Sequence, residues 1–103
     1  MELKPGMRLR SQVCGTEVII VRKPTEPVEL TCGGAALIGL TDEVRPGLSV
    51  AEGLGTGNQL GKRYTAQRVT SLEVLVTKAG EGTLGDGTEP LVLKDAKPLP
   101  SSD

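Results

Sequence analysis

Polar and apolar residues alternate from Met7 to Val13, with Met7, Leu9, Ser11 and Val13 on one side and Arg8, Arg10 and Gln12 on the other. A period of two belongs to a half-buried strand, because successive side chains of an extended chain point to opposite faces. Pro5-Gly6 reads as the turn before it, and Cys14-Gly15 ends it. Thr16–Arg22 carries Val18-Ile19-Ile20-Val21, a β-branched run too short for a helix and expected to be buried on both faces as a strand. Lys23-Pro24-Thr25-Glu26-Pro27 predicts a turn, since proline has no amide hydrogen to give to a ladder. Val28–Thr31 then returns as a strand, Cys32-Gly33-Gly34 bends, and Ala35–Leu40 supplies a further short strand.

The pattern lapses from Thr41 to about Gly57, where Pro46 and several glycines stand among few apolar anchors. A long loop is expected, functional or mobile, with a turn of helix near Ser49–Glu52. Alternation resumes with Leu72, Val74 and Val76 against Glu73, Leu75 and Thr77. Ala79-Gly80-Glu81-Gly82 reads as a turn, Asp86-Gly87 signals a two-residue hairpin, and Leu91-Val92-Leu93 closes it. No internal repeat and no strong helix is evident. The expected fold is all-β, a small antiparallel sheet or ribbon with a second, hairpin-containing half. One domain is expected over 1–103: a cysteine-bearing ribbon at 7–40, a glycine-rich loop at 41–61, a hairpin half at 62–94 and an extended tail at 95–103.

Composition narrows what such a fold can do. The chain has no Trp, Phe or His and a single tyrosine, Tyr64. Its core must be aliphatic, at about 1.5–3 kcal/mol for each large side chain fully buried. Such a core limits how much surface is hidden and favours a protein partner or a second copy. Without histidine, Ser-His-Asp and Cys-His catalysis are excluded within the chain, as is any His-ligated metal. Net charge is −1, so nothing steers the protein toward nucleic acid or an anionic membrane. Neither a signal peptide nor an apolar run of membrane-spanning length is seen. A cytoplasmic protein is expected, in which two cysteines are more often thiols or ligands than a disulfide.

Those cysteines carry the most specific pattern. Ser11-Gln12-Val13-Cys14-Gly15 precedes the strand Glu17–Val21, and Leu30-Thr31-Cys32-Gly33 follows the returning strand. Leu9–Leu40 thereby resembles desulforedoxin and the N-terminal domain of desulfoferrodoxin, small rubredoxin-like ribbons that hold one iron with four cysteines. Carried over position by position, the resemblance matches Cys14 and Cys32 to metal ligands and puts Ser11 and Thr31 at the other two ligand positions. Hydroxyls replace thiolates poorly in a closed tetrahedral iron or zinc site. Four states of the pair stay open: metal-free buried thiols, four cysteines around one metal shared in a symmetric dimer, a Cys14–Cys32 disulfide, and a reactive thiol.

The remaining motifs fail. Across Gly53–Arg63, a Walker A loop would need glycine at Thr56 and a hydroxyl at Arg63, while the dinucleotide pattern would need glycine at Asn58 or Leu60. Lys62 and Arg63 are left as possible contacts for an anion or an acidic patch. Asp42, Glu43 and Asp86 read as solvated loop acids. The functional expectation is a non-catalytic β interaction module or accessory subunit without a cofactor. The alternative is a metal-binding protein, with iron or zinc, or a redox protein using Cys14 and Cys32. An enzyme acting alone is the weakest reading.

Overall fold

The computed structural model describes residues 2–94, and the tail expected at 95–103 lies outside them. Ten strands follow in order: β1 Arg8–Arg10, β2 Glu17–Arg22, β3 Leu30–Cys32, β4 Ala35–Ala36, β5 Ile38–Gly39, β6 Arg63–Thr65, β7 Glu73–Lys78, β8 Leu84–Asp86, β9 Glu89–Pro90 and β10 Val92–Leu93. They form two antiparallel sheets, ordered β10-β6-β7-β2-β1-β5 and β4-β3-β8-β9. The protein is all-β, and the described residues contain no α-helix. In place of the helical turn expected near Ser49–Glu52 there is a single hydrogen-bonded turn over Ala51–Leu54, closed by Leu54 N–H donating to Ala51 O at 2.9 Å.

The strand order is its own mirror image, and the registers explain why. Leu9 opposes Val18 across β1–β2, and Tyr64 opposes Val74 across β6–β7. Leu9 also opposes Gly39 on β5, as Tyr64 opposes Leu93 on β10. Cys32 opposes Ala35 across β3–β4, and Asp86 opposes Glu89 across β8–β9. Backbone bonds outside the ladders repeat as well. Gly6 N–H reaches Ile20 O at 2.7 Å where Gly61 N–H reaches Val76 O at 2.9 Å, and Gly33 N–H reaches Thr83 O where Gly87 N–H reaches Glu29 O, both at 2.8 Å. The chain is therefore two copies of one five-strand unit, Arg8–Gly39 and Arg63–Leu93, related by a pseudo-twofold axis. The axis passes through the Ile19–Leu75 pair in the larger sheet and the Thr31–Gly85 pair in the smaller. This corrects the sequence-based expectation of no internal repeat. Gly6/Gly61, Arg8/Arg63, Gln12/Gln67, Leu30/Leu84 and Gly33/Gly87 are identities in the alignment, but they are too dispersed to stand out without the registers.

Each unit buries the same positions for the same reason. Val18 and Ile20 of β2 and Val74 and Val76 of β7 face inward with Leu9, Leu72 and Leu84. Ile19 and Leu75 on the opposite face are only half-buried, and Val21 is exposed. The run Val18–Val21 is thus covered on one face, not two. Buried Leu37 and Leu91 are the pivots by which each unit passes from the small sheet to the large one. The Gly33-Gly34 turn has φ of +63° and +91°, the positive values a type I′ hairpin requires at both positions and that only glycine takes without strain.

Candidate thiol site

Cys14 lies in the loop between β1 and β2, and Cys32 is the last residue of β3. The fold brings their sulfurs to 3.7 Å. Cys32 is fully buried and Cys14 half-buried. The loop is shaped by Ser11, whose Oγ accepts hydrogen bonds from Val13 N–H at 3.0 Å and Cys14 N–H at 3.2 Å and lies 3.4 Å from Cys14 Sγ. Thr16 Oγ1 approaches the same sulfur to 3.2 Å.

The segment Gly80-Glu81-Gly82 covers the pair. A Cβ at Gly82 would stand 2.7 Å from Cys32 Sγ, and one at Gly80 would stand 2.9 Å from Cys14 Sγ. Both are far inside van der Waals contact, so glycine is what lets the cover sit on the sulfurs. The linker between the two units holds this cover from outside. Gly57 N–H donates to Glu81 O at 2.9 Å, Asn58 N–H to Gly80 O at 3.2 Å, and Thr83 N–H to Leu54 O at 2.8 Å. The Asn58 side chain adds Nδ2 bonds to Thr16 Oγ1 at 2.8 Å and Gly82 O at 2.9 Å, and accepts Gly80 N–H at 3.2 Å. The loop expected at 41–61 is thus a strap over one end of the molecule.

The two thiols differ electrostatically. Burial pushes Cys14 up, but hydrogen bonds from the Ser11 and Thr16 hydroxyls and the Thr16 and Gly82 backbone outweigh it and bring the thiol down from 9.0 to about 7. For Cys32 burial dominates, and the charge at Cys14 adds to it, so its thiol is pushed up to about 11. Cys14 is therefore the member of the pair that ionises more readily and Cys32 the one that holds its proton, and the thiolate is the nucleophilic form.

Of the four positions singled out by sequence, Cys14, Cys32 and Ser11 converge and Thr31 does not. Because β3 stays extended through Cys32, its neighbour Thr31 points to the opposite face. Its hydroxyl donates to Gly87 O at 2.6 Å. Thr16, Asn58, Gly80 and Gly82 complete the site, and none was marked by its local pattern. Arg63 is engaged elsewhere, 3.1 Å from Glu73, which also binds Lys94 at 2.8 Å.

The equivalent end of the second unit has different chemistry. Asp86 replaces Cys32, and its Oδ2 lies 2.9 Å from Arg68 Nε while Oδ1 accepts Glu29 N–H at 3.0 Å. Asp86 is therefore an ion-paired, mostly buried acid and not a solvated one. A groove of about 1020 Å³ opens beside this pair, with Glu2, Glu29 and Glu89 among its lining residues and neither thiol among them. No helix among the described residues is long and apolar enough to cross a membrane. No protein-family model, curated protein or solved structure matches the chain.

Proposed function

We propose that the protein is a small non-catalytic β module whose state is set by thiol–disulfide exchange at Cys14 and Cys32. The observation that carries this reading is the 3.7 Å sulfur pair with one partner reachable and the other fully buried. Such asymmetry divides the labour between an attacking and a resolving thiol. The Cys14 thiolate attacks one sulfur of a low-molecular-weight disulfide, forming a mixed disulfide as the first small thiolate leaves. Cys32 passes its proton to that leaving thiolate or to water and attacks Cys14 Sγ, expelling the second small thiol. The protein thiols thereby give two electrons and two protons to the oxidant, which ends as two thiols. To bond, the sulfurs must close from contact distance to about 2.05 Å. That motion withdraws Cys14 from the hydroxyls of Ser11 and Thr16 and disturbs the Gly80–Gly82 cover. Loosening of the cover and of the linker above it is the change a protein partner would read. A reducing compartment such as the cytoplasm suits a pair held as thiols until challenged.

The iron or zinc implied by the desulforedoxin resemblance fits this donor set poorly. Two thiols and the neutral hydroxyls of Ser11 and Thr16 do not make a closed soft-ligand tetrahedron. Cys32, sealed under Gly82, is also out of reach of a metal shared with a second copy.

The test is incubation of untagged, reduced protein with glutathione disulfide, followed by intact mass and thiol titration. The expected product has lost two hydrogens, keeps no free thiol and elutes as the same monomeric or oligomeric species. A product that stops at the Cys14 mixed disulfide, or two thiols that stay free, would refute the switch.

A further inference from the structure

We infer that Asn58, contributed by the linker, is a positioning residue that aims the Thr16 hydroxyl at Cys14 and so governs the reactivity of that sulfur. This deepens the dithiol reading, although its test does not require the disulfide to form.

The argument is one of hydrogen-bond polarity. The Asn58 side chain has two N–H hydrogens and one oxygen, and all meet partners: Nδ2 gives to Thr16 Oγ1 and Gly82 O, and Oδ1 takes Gly80 N–H. The opposite amide orientation would set Oδ1 against the Gly82 carbonyl and Nδ2 against the Gly80 amide, two like-polarity contacts, so the orientation is fixed by its surroundings. Thr16 Oγ1 thus accepts from Asn58. A hydroxyl has a single hydrogen, and Cys14 Sγ at 3.2 Å is the neighbour toward which it turns. Thr16 is fully buried, so water does not compete for that hydrogen. Ser11 is polarised the same way, because two backbone amides donate to its oxygen. When Cys14 ionises, both hydroxyls donate to the sulfur, and charge-assisted bonds are about twice as strong as neutral ones. The same amide also pins both glycines of the cover, so one linker residue sets the charge preference of Cys14 and the closure above it.

The measurement is the pH dependence of Cys14 alkylation by iodoacetamide in fully reduced protein. Asn58→Asp keeps an acceptor for Gly80 N–H but gives Thr16 an acceptor in place of a donor, so the Thr16 hydrogen turns away from the sulfur. The midpoint is expected to rise from about 7 by one unit or more, slowing alkylation at neutral pH roughly fivefold. Thr16→Val is expected to raise it as well, and Asn58→Asp in that background is expected to add less than it does alone. In the unaltered protein, the Asn58 side-chain amide resonances are expected to titrate with the Cys14 midpoint. An unchanged alkylation midpoint in folded Asn58→Asp overturns the inference. So do amide resonances that ignore Cys14 ionisation, a result that stands even if the variants do not fold. Failure of glutathione disulfide to close the pair would refute the redox role and leave these titrations to stand by themselves.

Discussion

Cys32 and Asp86 occupy equivalent positions of the two units, yet Cys32 lies 3.7 Å from a thiol and Asp86 2.9 Å from a guanidinium nitrogen. One scaffold has kept its strands and given its two ends different chemistry. At the second end Arg68 joins Asp86 and also donates to Pro27 O at 2.8 Å. Arg68→Ala leaves a mostly buried carboxylate with Glu29 N–H alone. It is expected to cost about 1–3 kcal/mol in urea unfolding, the usual penalty for a stranded buried polar group. Alkylation of Cys14 is expected to be unchanged.

At the thiol end the packing is tighter. Gly82→Ala places a methyl 2.7 Å from Cys32 Sγ and 3.1 Å from Gly33 N. Overpacking of this kind costs about 1–3 kcal/mol. Cys32→Ala in the same chain removes the sulfur and is expected to restore part of the loss, which a double-mutant cycle in denaturant measures directly.

The contribution of the thiol pair to the stability of the reduced protein is expected to be greatest near pH 9. Cys14 has its folded value lowered to about 7, so its contribution is complete above its ordinary value of 9.0 and is lost as pH falls toward 7. Cys32 has its value raised to about 11, so its contribution is complete below 9.0 and is lost as pH rises through 11. Subtracting the profile of the Cys14→Ser, Cys32→Ser double variant isolates both limbs. That variant is expected to stay folded and to be modestly less stable, since packing and not a staple holds the sheets; complete unfolding would show that the pair is the staple.

Acid behaviour rests on Glu73. The hydrogen bond from Lys94, with the charges of Lys94, Arg63 and Arg22, outweighs burial and lowers its carboxyl below the ordinary 4.5. A depressed carboxylate stabilises above its unfolded value and loses that contribution as pH falls through the folded one. Glu73→Gln is expected to be less stable than the parent at pH 6 and to converge with it once pH has fallen through the lowered folded value, as read by thermal melts.

Period-two alternation located β1 and β7, whereas β2 was found as a β-branched run and only the structure shows that it buries one face on the aliphatic core. Short edge strands such as β4 and β10, two residues each, have no period to read, and pairing alone defines them. Asp86-Gly87 announced its hairpin, although Asp86 pairs with Glu89 and the loop itself is Gly87-Thr88. Cys14, Cys32 and Ser11 were found by motif. Thr31 was misplaced because adjacent ligands require a knuckle, and β3 runs straight through Cys32. Asn58 gave no local signal at all, since its role depends on a linker reaching residues far away in sequence.

The linker has a geometric consequence for stoichiometry. Two identical ribbons associating as separate chains would present two identical ends, and any thiol chemistry would occur twice per assembly. A single covalent connection between the copies can cross only one of those ends. By joining them it decides which end is roofed and which is left open, so the tandem chain carries one thiol pair where a symmetric pair of copies would carry two.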